Sequence, residues 1–194
     1  MDGDVAEEWT ALYPGTLIAV VGPSGAGKDT VMRLAREELA GIADIVFAMR
    51  VITRPPHPSE TYESVEPQEF ERREKEGGFL IAWHANGLAY ALPVSLAGEL
   101  KAGKTIVANL SRGAVAAARG KGIRVLAVEV TAERQLLASR IAQRGRENPA
   151  TREARLARNA AYADTFRADI VIANNEAPDL AAARLSEVIR ICAQ

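Results

Sequence analysis

Five apolar residues, Leu17-Ile18-Ala19-Val20-Val21, run directly into Gly22-Pro23-Ser24-Gly25-Ala26-Gly27-Lys28-Asp29-Thr30. The run reads as a fully buried strand, and a helical pattern opens at Lys28. Strand, glycine-rich turn and helix in that order are the context a phosphate-binding loop requires, and Gly22 to Lys28 has its G-x-x-x-x-G-K spacing. Glycines let the backbone curl so that N–H groups face phosphate oxygens. The helix N-terminus adds favourable dipole potential and Lys28 a full charge. A turn that binds nothing could share the composition, but not the register of strand, glycines and lysine. One letter departs from the usual loop: Ser or Thr normally follows the lysine and reaches Mg²⁺, whereas Asp29 stands here, with Thr30 next.

The 194 residues, 48% of them hydrophobic, are enough for one substantial core with a small inserted lobe. A net charge of -1 gives no basic field for nucleic acid. The single cysteine, Cys192, excludes an intramolecular disulfide framework and fits a reducing cytoplasm. No apolar run approaches the roughly twenty residues that span a bilayer. The acidic stretch from Met1 to Glu8 resembles neither a signal nor a transit peptide. Residues 1–15 read as an N-terminal extension pinned by Trp9 and Tyr13, and residues 16–194 as the folded domain.

Along the chain, a helix is expected over Lys28 to Leu39, with Val31, Leu34 and Leu39 inward and Gly41 as its stop. Ile45 to Ile52 reads as a second strand, broken by Pro55, Pro56 and Pro58. Pro67 to Glu76 reads as a charged helix anchored by Phe70. Phe79 to Trp83 and Leu88 to Leu92 read as a hairpin about Asn86-Gly87. Pro93 opens a helix ending near Gly103. Strands follow at Thr105 to Ala108, Ile123 to Val130 and Ile170 to Ala173. Helices are expected over Thr131 to Arg144 (Thr131 as N-cap, Glu133 in the first turn), Arg152 to Phe166 and Leu180 to Ile191. The alternation argues for an α/β fold, a parallel sheet covered on both faces, interrupted between Arg50 and Leu92 by an antiparallel lobe. An acceptor would bind in the cleft beyond the carboxyl ends of the strands.

Arg140 and Arg144 share a helix face, with Arg146, Arg155 and Arg158 beyond. Like charges four apart repel, which suits a segment that meets an anion. Phosphoryl transfer spreads negative charge over the moving group, and arginines on a closing segment stabilise it. Residues 137–158 therefore read as a lid hinged at Gly145 and Pro149. The lobe carries Arg50, Thr53, Arg54, His57, Tyr62 and Tyr90, and arginine with tyrosine suits a phosphate monoester. Neither His57 nor His84 has a pattern that assigns it acid–base work. No set of residues has structural-metal spacing.

These residues resemble the guanylate kinase family from Thr16 onward. Gly22 to Lys28 resembles its phosphate loop. Thr53-Arg54-Pro55-Pro56, Tyr62 and Tyr90 resemble its acceptor-phosphate site. Arg140-Ile141-Ala142-Gln143-Arg144-Gly145 and Arg155-Leu156 resemble its lid, and Asn174-Asn175 the loop beside adenine. The departures lie where that family reads guanine and at one arginine, here His57, that it places on the acceptor phosphate. Ile81 replaces a glutamate, Arg50 a small hydroxyl residue, His57 an arginine, and Asn109-Leu110-Ser111-Arg112 an aspartate pair. Leaving guanine donors unpaired costs on the order of 1–3 kcal/mol each.

The replacements resemble a sister family, the ribose 1,5-bisphosphate phosphokinases of phosphonate breakdown. The matching segments are Gly27-Lys28-Asp29, Arg50-Val51-Ile52-Thr53-Arg54, Trp83-His84-Ala85-Asn86-Gly87-Leu88, Arg144-Gly145-Arg146-Glu147-Asn148 and Ala154-Arg155-Leu156-Ala157-Arg158. Ala91 and Leu110 stand where that pattern has glycine. The resemblance implies a P-loop NTPase fold of the nucleoside-monophosphate-kinase type, with an acceptor lobe at about 50–92, a lid and a cytoplasmic location. It implies ATP-dependent phosphorylation of ribose 1,5-bisphosphate to 5-phosphoribosyl 1-diphosphate. ATP would contact Gly22, Pro23, Ser24, Gly25, Ala26, Gly27, Lys28, Asp29, Thr30 and Asn174, with Mg²⁺ near Asp29 and Thr30. Lys28, Arg140, Arg144 and Arg155 would act on the transferred group. Arg50, Arg54, Tyr62 and Tyr90 would hold the sugar phosphates, with Asn109, Ser111 and Arg112 as secondary candidates. The expected partner is a small sugar phosphate, not nucleic acid or membrane, with a homodimer left open. A guanylate kinase and a non-catalytic guanylate-kinase-like binding module are the alternatives.

Overall fold

The computed structural model describes residues 13–56, 61–85, 87–143 and 166–194. Its centre is β1 (Thr16–Val21), all six residues of which are buried. Side chains alternate across a strand, so Leu17, Ala19 and Val21 join one core cluster while Ile18 and Val20 join another. A strand buried on both faces needs helices on both sides, and the chain supplies them.

Four further strands run parallel to β1: β2 (Ile45–Phe47), β7 (Thr105–Asn109), β8 (Arg124–Thr131) and β9 (Ile170–Ala173). The order is β2-β7-β1-β8-β9, with β7 and β8 both hydrogen-bonded to β1. Helices α1 (Lys28–Glu38), α5 (Arg134–Gln143) and α6 (Pro178–Cys192) cover one face through Val31, Ala35, Leu137, Leu185 and Ile189. On the other face lie α3 (Leu96–Lys101) and α4 (Arg112–Gly120), which supply Leu96, Leu100, Ala114, Val115 and Ala118.

A second sheet, ordered β4-β3-β6-β5, forms the inserted lobe from β3 (Val51–Ile52), β4 (Glu63–Ser64), β5 (Phe79–Ala85) and β6 (Leu88–Pro93). Helix α2 (Pro67–Lys75) seals it through Phe70, which is 1% exposed and packs on Phe79. Leu80, Ile81 and Leu92 share the cluster of α3 and α4, so the lobe is docked on that face of the main sheet. Gly87 turns the β5–β6 hairpin with a φ of 74°. Ala91 and Leu110, the two positions without glycine, are both buried. No described helix is long and apolar enough to cross a membrane.

Several local expectations change. The run from Ile45 to Ile52 is two strands in two sheets: Phe47 pairs with Val107, while Val51 pairs with Ala91. Pro93 ends β6 rather than starting a helix, which begins at Leu96. Thr131 is the last residue of β8, not an N-cap: its carbonyl accepts from the Asn174 amide just past β9 at 2.7 Å, and the helix begins only at Arg134. Helix α4 has no counterpart in the sequence reading. Tyr13 packs against the core, whereas Trp9 lies outside the described residues. The helix expected over 152–166 lies outside them too, except for Phe166, which is not helical.

Candidate active site

At the end of β1, Gly22 has a φ of 139°, and a Cβ there would stand 2.0 Å from the Val130 carbonyl oxygen of β8. Only glycine allows that approach. Gly25 and Gly27 also have positive φ, 87° and 85°, and curl the loop. Gly27 is the N-cap of α1, with no side-chain cap, so the helix N-terminus offers its amides to a ligand. Lys28 Nζ donates to the carbonyls of Gly22 at 2.8 Å and Pro23 at 3.0 Å, which ties the ammonium to the loop it serves. Beneath the loop, the buried Asn174 donates from Nδ2 to the Ala26 carbonyl at 2.8 Å. A Cβ on Gly27 would lie 2.5 Å from that nitrogen. Asn174 thus supports the loop from below. Its backbone carbonyl accepts from Arg140 Nη1 at 3.1 Å, which brings the first arginine of the expected lid to the same place. The neighbouring Asn175 accepts at Oδ1 from the Glu133 amide at 2.9 Å, at the start of α5.

Asp29, in the first turn of α1, accepts from Asn109 Nδ2 at 2.9 Å and lies 3.9 Å from Arg50 Nη2. Among the described residues no group of three or more His, Cys, Asp or Glu could hold a metal. Mg²⁺ bound with a nucleotide needs few protein ligands, since phosphates and water supply most of them. A half-exposed carboxylate at the loop, followed by Thr30, fits that requirement.

In the lobe, the Arg50 guanidinium lies 5.9 Å from the Tyr90 ring centroid, and Trp83 stacks on Tyr90 at 5.5 Å with planes 10° apart. Such contacts hold a cation and a phenol in place at little entropic cost. Arg54 packs over the Tyr62 ring at 4.7 Å and donates from Nε to its hydroxyl at 3.2 Å. That hydroxyl donates to the Pro55 carbonyl at 2.5 Å. Thr53 is locked to β6, its Oγ1 accepting from the Ala89 amide at 2.8 Å. Ile81 is 1% exposed within the core between lobe and sheet. Its position presents no polar group to a base.

Ser111 caps α4, its Oγ accepting from the Ala114 amide at 3.1 Å. Arg112 follows and donates from Nη2 to Glu129 Oε1 at 2.5 Å, with the Phe166 ring 5.8 Å from its Cζ. Glu129 was not singled out from the sequence. The available signal was a lone carboxylate inside the apolar run Val125-Leu126-Ala127-Val128-Glu129-Val130. The described structure therefore brings together Lys28, Asp29, Arg50, Asn109 and Asn174, with Arg140 on the Asn174 carbonyl. Arg144 and Arg155, with most of the lid expected over 137–158 and His57, lie outside the described residues.

Comparison with known proteins is consistent across sequence and fold. No protein-family model matches the chain. It is 48% identical over 178 residues to the ribose 1,5-bisphosphate phosphokinase PhnN of Acidiphilium cryptum, covering 92% of this chain and 94% of that protein. It is 46% identical to the protein of the same name from Methylobacterium radiotolerans, over 92% of this chain and 99% of the other. A bifunctional ribose 1,5-bisphosphokinase-thymidine phosphorylase of Cupriavidus pinatubonensis is 45% identical over 91% of this chain and 29% of its own length. Among solved structures, the guanylate kinase from Anaplasma phagocytophilum matches with a TM-score of 0.69 and 18% identity, over 92% of this chain and 86% of that one. That likeness shows a P-loop kinase fold.

Proposed function

The chain belongs to the ribose 1,5-bisphosphate phosphokinase family, and on that premise we propose that it transfers the γ-phosphoryl group of ATP to the 1-phosphate of ribose 1,5-bisphosphate. The products are ADP and 5-phosphoribosyl 1-diphosphate. The observation that carries the reading is the character of the acceptor lobe. Arg50, Arg54, Tyr62 and Tyr90 offer cations and phenols suited to phosphate, while the position that would read a purine edge is the buried Ile81.

The attacking atom is an ionised phosphate oxygen, so no proton has to be removed and no general base is required. The chain's work is alignment and charge neutralisation. Gly25 to Lys28 cradle the β- and γ-phosphates, and Lys28 follows the charge as it moves to the bridging oxygen. Asp29 and Thr30 would hold Mg²⁺, which supplies further neutralisation of the phosphates. Arg140, Arg144 and Arg155 close on the transferred group as part of a lid over residues 137–158. Arg50, Arg54, Tyr62 and Tyr90 orient the sugar bisphosphate within the lobe of residues 50–92, assisted by Asn109, Ser111 and Arg112.

Release of ADP with ribose 1,5-bisphosphate, compared with GMP as acceptor, tests the reading. Turnover with the sugar and none with GMP is the expected result. Preference for GMP would favour a guanylate kinase, the reading that the fold likeness invites, and failure to bind ATP a non-catalytic module.

A further inference from the structure

We infer that Glu129 is a positioning residue of the acceptor site, fixing the Arg112 guanidinium where a phosphate of the sugar substrate meets it. The inference rests on the function proposed above. Glu129 stands opposite Val21, the residue before the phosphate loop, in the β1–β8 ladder. By strand alternation it shares the face of Ala127 and Val21, the face on which the lobe is docked. Its neighbours Ala127, Val128 and Val130 are fully buried, an environment in which an unpartnered carboxylate is costly.

The partner is Arg112, which reaches it from the far side of β1: it opens α4 after β7, whereas Glu129 belongs to β8. Their side chains keep only 15% and 17% exposure. Phe166 packs on the same guanidinium, and the Ser111 cap fixes the backbone from which it springs. A shielded Arg–Glu pair is a weak stabiliser compared with apolar side chains of the same volume, so stability alone does not account for it. A planar fork held from two sides at the carboxyl end of the central strand is suited to a phosphate. Glu129 also makes the pair neutral overall.

Steady-state kinetics of Glu129→Gln, Arg112→Ala and the double variant test this, with either substrate varied at saturating levels of the other. Glu129→Gln is expected to raise KM for ribose 1,5-bisphosphate about fivefold or more while KM for ATP stays within about twofold. If Glu129 acts through Arg112, the double variant is no worse than Arg112→Ala alone, within about twofold. An unchanged sugar KM, equal rises for both substrates, or effects that multiply would overturn the inference. Should Glu129→Gln fail to fold, Glu129→Asp, which keeps the charge but withdraws the oxygen, must show the same sugar-specific rise. A wild-type protein active on GMP and not on the sugar overturns the proposed function instead. The same variants are then read through KM for GMP, where no change sinks the role of Glu129.

Discussion

Asn109 Nδ2 donates to Asp29 Oδ1 at 2.9 Å, tying the end of β7 to the first turn of α1 across 80 residues of chain. Arg50, at the entry to the inserted lobe, approaches the same oxygen at 3.9 Å. The residue that departs from the usual phosphate loop is thus the point where that loop, the central sheet and the inserted lobe meet. Removing the amide with Asn109→Ala should lower kcat about tenfold, equivalent to about 1.4 kcal/mol at the transition state. Stability should fall by only about 1 kcal/mol, the net worth of one such bond. ADP-release assays beside thermal melts separate the two, and an unchanged kcat would reduce the contact to a structural one.

Lys28→Ala should cut turnover by about 10²–10³-fold, the usual effect of deleting one group that stabilises transition-state charge. The loop carbonyls of Gly22 and Pro23 lose a donor, but the core strands are untouched, so the melting curve should stay cooperative. Near wild-type turnover would contradict the placement of the donor site.

Gly22 and Gly41 both have positive φ, yet only the first is crowded. A Cβ at Gly22 meets the Val130 oxygen at 2.0 Å, while at Gly41, with a φ of 90°, nothing lies within 4 Å. Gly41→Ala should therefore cost about 1–2 kcal/mol for the left-handed backbone alone. Gly22→Ala should cost about 1–3 kcal/mol beyond that for the clash. Denaturant titrations of both variants measure the difference; equal losses would refute the close approach.

The lobe helix α2 carries a pH-dependent element. Hydrogen bonds from Arg72 and then Arg73 hold the Glu69 carboxyl down at about 2, against an ordinary value of 4.5. A lowered folded-state value means the contribution is complete above about pH 4.5 and is lost as the pH falls towards 2. The group is only partly buried, so salt should weaken the effect. Thermal melts of wild type and Glu69→Gln should diverge above that window and converge at its acid end. Parallel curves would show that these ion pairs do not act on stability.

Interactions between near neighbours were legible in the chain before any fold was known. The buried run of β1, the glycines that must turn at its end, the lysine and the helix behind it lie within about twenty residues. The Asn86-Gly87 signal likewise foretold the β5–β6 hairpin, where Gly87 takes the required left-handed conformation. Helix α4 escaped notice because Gly113 and Gly120 weaken its local signal. It persists because Ala114, Val115 and Ala118 are buried against the sheet.

Long-range order decided the remainder. The chain between Ile45 and Ile52 reads as a single β-rich run, and only the separate partners Val107 and Ala91 divide it between two sheets. Asn174 pairs with a loop carbonyl 148 residues away, and Arg112 finds Glu129 because β7 and β8 flank β1. Nothing within a few residues of these side chains specifies such partners. Backbone propensity and apolar periodicity act over a turn or a strand, whereas the strand order that sets those contacts comes from packing the whole sheet at once.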